Sequence, residues 1–392
     1  MNILLQVFSC DPQRGGEFAV SWGWIQKLNE NLRDGDKIYV ITRKGNIEKI
    51  NQKNLKNVQI ISVDYPLILN TIFKESGIMF MLWQYYAYKA AQRTKIKFDV
   101  IHVYSLSDFR RAGYWYRFDD SYTIFGPVGG YQMCSKSLEG YDDSQRLRNW
   151  VNCYCRRSPI YKAKIKKYKK VYACNPETAE ILPGAELLPD VPLNPIFKNL
   201  DIRREKNDVT TLLFCGRLIK KKGLLLLIDV ISKIPDSYSI QLLIYGDGPL
   251  KEELELLIKS KNLKSKVFIK GSADYADMTE IYKNADIFLF PSLRESGGSV
   301  LIEAMAHKLP IIGLKKGLGQ ILSEKHVGLF IEANDIKDVI IENYKSAITE
   351  LIDNPELRET MGNNGYIYVN REFTWDVMFS KVYGSILGLE GR

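Results

Sequence analysis

Ala285-Asp286-Ile287-Phe288-Leu289-Phe290-Pro291-Ser292 leads into Glu295-Ser296-Gly297-Gly298-Ser299-Val300-Leu301-Ile302-Glu303-Ala304-Met305-Ala306, and this stretch decides the fold. The first run is short and almost wholly apolar, which reads as a strand buried in a parallel sheet. The second turns on two glycines and continues into a helix. Strand, glycine turn and helix in that order aim unbonded backbone N–H groups at an anion. Gly297, Gly298, Ser299 and Val300 form the turn. Glu295 stands before it, and Glu303 lies about one and a half turns into the helix. Phosphate donors beside hydroxyl acceptors suit a phosphorylated, polyhydroxylated ligand.

The same alternation runs outward in both directions. Strands are predicted over 2–8, 37–42, 58–63, 99–104, 121–125 and 170–174, then over 211–215, 240–245, 266–269, 287–290, 310–314 and 328–331, with amphipathic helices between them. Each set predicts a doubly wound parallel sheet. Leu188-Pro189-Asp190-Val191-Pro192-Leu193-Asn194-Pro195 cannot sit inside a helix or central strand and reads as the linker. The 392 residues therefore divide into an N-terminal domain, 1–190, and a C-terminal domain, 191–373. A last helix over about 374–388 follows, with Thr374 as its cap. Two doubly wound domains that face each other would bring the C-terminal ends of both sheets to one cleft.

Other loops carry the marks of a ligand site. Leu212-Leu213-Phe214-Cys215-Gly216-Arg217 ends a strand with a guanidinium, and Lys220-Lys221-Lys222-Gly223 opens the next helix with an ammonium. Two such cations at one point suit a diphosphate whose charge grows as a bond to it breaks. Gly15 and Gly16 follow the first strand, and Gly126-Pro127-Val128-Gly129-Gly130 follows another. Lys270-Gly271-Ser272 ends a third.

Together these motifs resemble the retaining glycosyltransferases of family 4, the group 1 glycosyl transferases, whose fold is GT-B: α/β, with two facing Rossmann-like doubly wound domains. The resemblance is densest over 217–303. It implies a nucleotide-sugar donor, a UDP- or GDP-sugar, and a glycan or lipid-linked acceptor in surface polysaccharide or glycolipid synthesis. It implies that Arg217 and Lys222 clamp the diphosphate, that Glu295 contacts the donor sugar, and that Glu303 accepts from the ribose hydroxyls. Gly15, Gly16, Gly129, Gly130, Gly271, Gly297, Gly298, Ser299 and Val300 would contact the donor through backbone. The last helix would return to the first domain. Arg217, Lys222 and Glu295 are the expected catalytic groups. Many members carry a histidine where this chain has Gly126-Pro127-Val128-Gly129-Gly130, so no histidine-assisted step is implied. An epimerase or an inverting transferase on the same fold stays open.

No cofactor or metal is expected. Asp34-Gly35-Asp36 matches a metal motif of another transferase class, but it precedes a strand and reads as a surface turn. The six scattered cysteines lack zinc-site spacing and read as reduced thiols. His102 reads as a satisfied buried histidine, His307 as lying late on the Glu303 helix, and His326 as a loop residue.

The net charge of +9 favours anionic partners. A basic nucleic-acid-binding protein is the alternative of another class, but no groove-reading or RNA module is legible. Arg156–Lys170 is basic with interleaved tyrosines, and Ile78–Tyr86 is apolar and aromatic. Such a pair predicts contact with an anionic membrane surface. The start reads as a strand with no signal peptide, and no run of about 18 apolar residues exists, which predicts a cytoplasmic or inner-face peripheral location.

Overall fold

The structure is a computed structural model that describes residues 1–11, 16–51, 55–64, 77–104, 106, 108–142, 146–202 and 208–389. Gly15 lies outside the described residues. The chain separates into two compact units. The first holds Met1–Tyr131, Leu147–Asp190 and Met378–Arg392, and the second holds Gln132–Arg146 and Val191–Val377.

The first unit is a seven-stranded parallel sheet. Its strands are β1 (Asn2–Gln6), β2 (Lys37–Thr42), β3 (Val58–Ser62), β4 (Val100–Val103), β5 (Tyr122–Val128), β6 (Lys170–Ala173) and β7 (Ala185–Leu187), in the order β3-β2-β1-β4-β5-β6-β7. Strands β1, β2 and β4 are buried on both faces along nearly their whole length, as the central strands of a parallel sheet are. Leu5 pairs with His102 in register. His102 is fully buried, between the Tyr383 hydroxyl at 2.8 Å and the Gly126 carbonyl at 2.7 Å, with Trp24 edge-on at 5.3 Å. Burial pushes its pKa down from 6.5 to about 4. It is therefore a neutral imidazole that donates from Nε2 to Gly126 and accepts at Nδ1 from Tyr383.

The second unit is a six-stranded parallel sheet. Its strands are β8 (Thr210–Cys215), β9 (Ile240–Tyr245), β10 (Val267–Gly271), β11 (Ile287–Phe290), β12 (Ile311–Leu314) and β13 (Gly328–Ile331), in the order β10-β9-β8-β11-β12-β13. The order reverses at the β8–β11 pair, where Leu213 lies beside Phe288. One core layer packs the helix Leu224–Ile231 with Leu212, Ile244 and Leu289 on one face of the sheet. The other packs Leu301, Ala304 and Met305 with Phe288 and Ile311 on the opposite face.

Four expectations are corrected. Residues 132–146 fall within the first domain as read from sequence but belong to the second unit. Leu138 and Tyr141 join its core with Leu218 and Leu224, and the Tyr141 hydroxyl donates to Asp229 at 2.5 Å. Gly126–Val128 is strand and not loop, because β5 continues past Phe125 through a register shift and pairs Val128 with Ala173. Much of the aromatic run 78–86 is interior. Met79, Phe80 and Trp83 are buried, and Trp83 Nε1 donates to the Val63 carbonyl at 2.8 Å, which leaves Met81, Tyr85 and Tyr86 outward. The short strand β7 was missed because three residues, two of them exposed, carry no apolar period.

Candidate active site

Four strands of the second unit end at one place. Past Cys215, Tyr245 and Gly271, and at the helix Ser299–Ala306 that follows β11, the chain encloses a pocket of about 350 Å³. A doubly wound sheet binds ligands at the carboxyl ends of its strands, where the order reverses. Arg217, one residue beyond the Gly216 turn after β8, lines this pocket, as do Val300 and Glu303 from the helix.

Gly298 sets the entry to that helix. Its φ of 83° is left-handed, the region glycine tolerates best. No side chain caps the helix, so its first N–H groups are oriented for an anion. Glu303 lies one turn on, and the Tyr282 hydroxyl donates to its Oε2 at 2.8 Å. Tyr282 is itself fully buried and stacks on His307 at 4.9 Å, and His307 Nδ1 hydrogen-bonds the Glu303 carbonyl at 2.7 Å. Burial raises the Glu303 pKa, and the Tyr282 hydrogen bond lowers it by less. Tyr282 thus fixes one carboxylate oxygen.

A second contact forms beside the same turn. Lys222 Nζ donates to Glu295 Oε2 in an ion pair whose side chains are each 15% exposed. Lys222 closes a short 3-10 turn, and the next residue, Gly223, has φ of 73°. A Cβ at Gly223 would lie 2.0 Å from the Pro291 carbonyl oxygen, so glycine is what lets the lysine turn approach the chain beyond β11. Lys222 Nζ also sits 5.8 Å from the Phe290 ring centre.

The Glu295 loop is braced from outside. Arg294 makes two contacts to the buried Asp142, from Nε at 2.8 Å and Nη2 at 2.7 Å. Ser296 Oγ reaches Gln132 Oε1 at 3.3 Å, and Lys316 Nζ donates to the Met133 carbonyl. Gln132, Met133 and Asp142 therefore brace this loop.

The structure thus brings Arg217, Val300 and Glu303 to one pocket and pairs Lys222 with Glu295. Gly271 ends β10 next to Ser272, which lines the pocket, whereas Gly297, Gly298 and Ser299 form the turn and are not among its walls. Gly16, Gly129 and Gly130 lie in the first unit. There Gly16 precedes the helix Glu17–Asn31, Phe109 N donates to the Gly129 carbonyl at 3.0 Å, and Arg148 Nη2 donates to the Gly130 carbonyl. Sequence reasoning missed Tyr245, Asp247, Tyr275 and Met278 as pocket walls. Their signal was position alone, since Tyr245 ends β9 and the others follow the ends of β9 and β10. Tyr275 also accepts from Asn194 Nδ2 at 3.1 Å and packs on Phe197. Asp34-Gly35-Asp36 is a turn before β2, where the Arg33 N–H donates to Asp36 at 3.3 Å. Among the described residues no cluster of three metal-ligating side chains occurs, and no helix is long and apolar enough to cross a membrane.

Two parallel-sheet Rossmann-like units define the fold class of the GT-B glycosyltransferases. Residues 196–368 match the model of the family described as glycosyl transferases group 1, so the second unit is a glycosyltransferase domain of that family. An uncharacterized glycosyltransferase of Methanocaldococcus jannaschii is 31% identical over 179 residues, which is 45% of this chain and 48% of that protein. The chain thus spans about half the length of that relative. The phosphatidylinositol N-acetylglucosaminyltransferase gpi3 subunit of Schizosaccharomyces pombe is 25% identical over 96% of this chain and 78% of its own. Among solved structures, the sucrose-phosphate synthase of Thermosynechococcus elongatus superposes with a TM-score of 0.67 at 20% identity, covering 99% of this chain and all of that one.

Proposed function

We infer that the protein transfers a sugar from a nucleotide-activated donor, a UDP- or GDP-sugar, to a glycan or lipid-linked acceptor, with retention at the anomeric carbon. The observation that carries this reading is the meeting of Arg217 and Glu303 in one pocket beyond β8–β11. A half-buried carboxylate with one oxygen held by Tyr282 offers its other oxygen to the ribose hydroxyls of a nucleotide. The uncapped helix at Gly298 and the Arg217 guanidinium supply donors to the diphosphate. Lys222 and Glu295 form a polar pair that a donor can divide, with phosphate oxygens taking the ammonium and sugar hydroxyls the carboxylate.

The chemistry that fits these groups is charge stabilisation of a departing diphosphate. The bond from the anomeric carbon to the phosphate oxygen breaks, and its electron pair leaves with the nucleotide. The acceptor hydroxyl attacks from the same face and gives its proton to the departing phosphate oxygen. Fixed cations and a helix N-terminus carry the charge, so no metal is required. The name of the fission-yeast relative, a subunit of a phosphatidylinositol N-acetylglucosaminyltransferase, supports a lipid-linked acceptor.

Product analysis tests the reading. Proton NMR of the glycosylated acceptor should show the donor's own anomeric configuration, and EDTA should leave the rate unchanged. An inverted product would refute retention, and loss of activity on chelation restored by magnesium or manganese would refute the metal-free clamp.

A further inference from the structure

The first unit carries a surface that the transfer site does not use. The helix Arg146–Arg157 presents Leu147, Trp150 and Tyr154 along one stripe, because steps of three and seven residues return to the same helix face. They are 76%, 67% and 56% exposed, and Ile160 on the next helix, Pro159–Ile165, is 80% exposed. The Trp150 and Tyr154 rings stack at 6.3 Å and 19°. The opposite face is anchored, since Asn152 and Cys155 are buried and Arg110 Nη1 donates to Asn152 Oδ1 at 3.0 Å. The stripe is therefore held outward by a fixed helix.

The segment that carries the stripe holds charges of one sign. Arg146–Lys170 contains ten Lys and Arg residues and no Asp or Glu. Arg156, Arg157, Lys166, Lys167 and Lys169 are exposed. Apolar side chains with an amphipathic tryptophan and tyrosine, set among cations, match the boundary of an anionic bilayer. There the rings and Leu147 leave water while the cations meet headgroup phosphates. Single-stranded nucleic acid would use the cations and the rings but has no apolar counterpart for Leu147 and Ile160.

We propose that Leu147, Trp150, Tyr154 and Ile160 form the face by which this protein lies on an anionic lipid surface, with Trp150 at the edge of the acyl chains. The proposal rests on the lipid-linked acceptor of the preceding reading, and it replaces the 78–86 run with the 147–160 stripe as the apolar contact.

The test uses the full chain and vesicles of phosphatidylcholine with and without phosphatidylglycerol, some with brominated acyl chains. Trp150 is the exposed tryptophan, since Trp22, Trp24, Trp83 and Trp115 are buried and Trp375 is half-buried. Tryptophan fluorescence should be quenched by brominated anionic vesicles, and Trp150→Phe should abolish that quenching while sedimentation with the vesicles persists. A Leu147→Ser, Trp150→Ser, Tyr154→Ser variant should partition at least tenfold more weakly, and its nucleotide-sugar hydrolysis without vesicles should match wild type. Quenching that survives Trp150→Phe, equal binding to neutral vesicles, or binding of an RNA oligomer with none to vesicles would overturn the proposal. Vesicle binding as described in a protein that hydrolyses no nucleotide sugar would refute the transfer reading and leave this surface standing.

Discussion

Arg294 places Nε at 2.8 Å and Nη2 at 2.7 Å from one oxygen of Asp142, both residues are buried, and Glu295 is the next residue along the chain. A segment 152 residues away in sequence thus fixes the backbone from which Glu295 projects. Removing one partner of a buried pair leaves an uncompensated charge, at a cost of about 3–5 kcal/mol. Asp142→Asn should lower thermal stability on that scale and reduce turnover more than nucleotide affinity. A variant with wild-type melting temperature and turnover would show that the brace does not matter.

Lys222 and Glu295 should behave as a coupled pair. Lys222→Ala removes a charge-stabilising group and should raise the barrier by about 2–4 kcal/mol. Glu295→Gln should slow turnover while calorimetry shows nucleoside diphosphate binding largely kept. Because the two touch, a double-mutant cycle should give a coupling of about 0.5–3 kcal/mol. Additive effects would mean that the ion pair is incidental.

Glu303 should trade stability for binding. Burial raises its folded pKa above the ordinary 4.5, so the native state binds more protons than the unfolded chain as pH rises from there. Stability therefore declines through that window and stays lower at neutral pH. Glu303→Gln should melt higher than wild type at neutral pH, yet bind nucleotide weaker by about 1.5–3 kcal/mol, the range for a hydrogen bond to a charged group. In wild type, nucleotide affinity should fall on acidification at a higher pH than an ordinary carboxylate would give. Unchanged affinity in the Gln variant would remove Glu303 from the nucleotide site.

His102 predicts an acid-sensitive first unit. Unfolded, the imidazole protonates near 6.5, and folded only near 4. The unfolded chain binds the extra proton between those values, so stability is full above pH 6.5 and is lost as pH falls toward 4, by about 3 kcal/mol in all. His102→Gln should flatten the stability profile across that interval, whatever its absolute stability. A profile as steep as wild type would assign the acid sensitivity elsewhere.

Much of this was legible in the chain itself. Strands β2, β9, β11 and β13 match their sequence-predicted bounds, because each is a short, largely apolar run ended by turn residues. Arg217 and Glu303 were legible as neighbours, because a parallel sheet sends every strand end to the same edge. Tyr282 was not, since nothing in Met278–Lys283 says that its hydroxyl turns toward a carboxylate from another helix. The brace by Asp142 was hidden for the same reason. A long-range buried ion pair leaves no local period, and the chain order of 132–146 pointed to the wrong unit.

The claim of sugar transfer from a nucleotide donor is tested most directly by release of nucleoside diphosphate. Purified protein is incubated with a panel of UDP- and GDP-sugars, and free diphosphate is measured for wild type, Arg217→Ala and Glu303→Gln. At least one donor should be consumed by wild type, with the Arg217→Ala rate lower by about 2–4 kcal/mol in barrier and the Glu303→Gln loss appearing mainly in KM. Consumption at wild-type rate by the Arg217→Ala protein would contradict the site described here, and release from none of the donors would contradict the function.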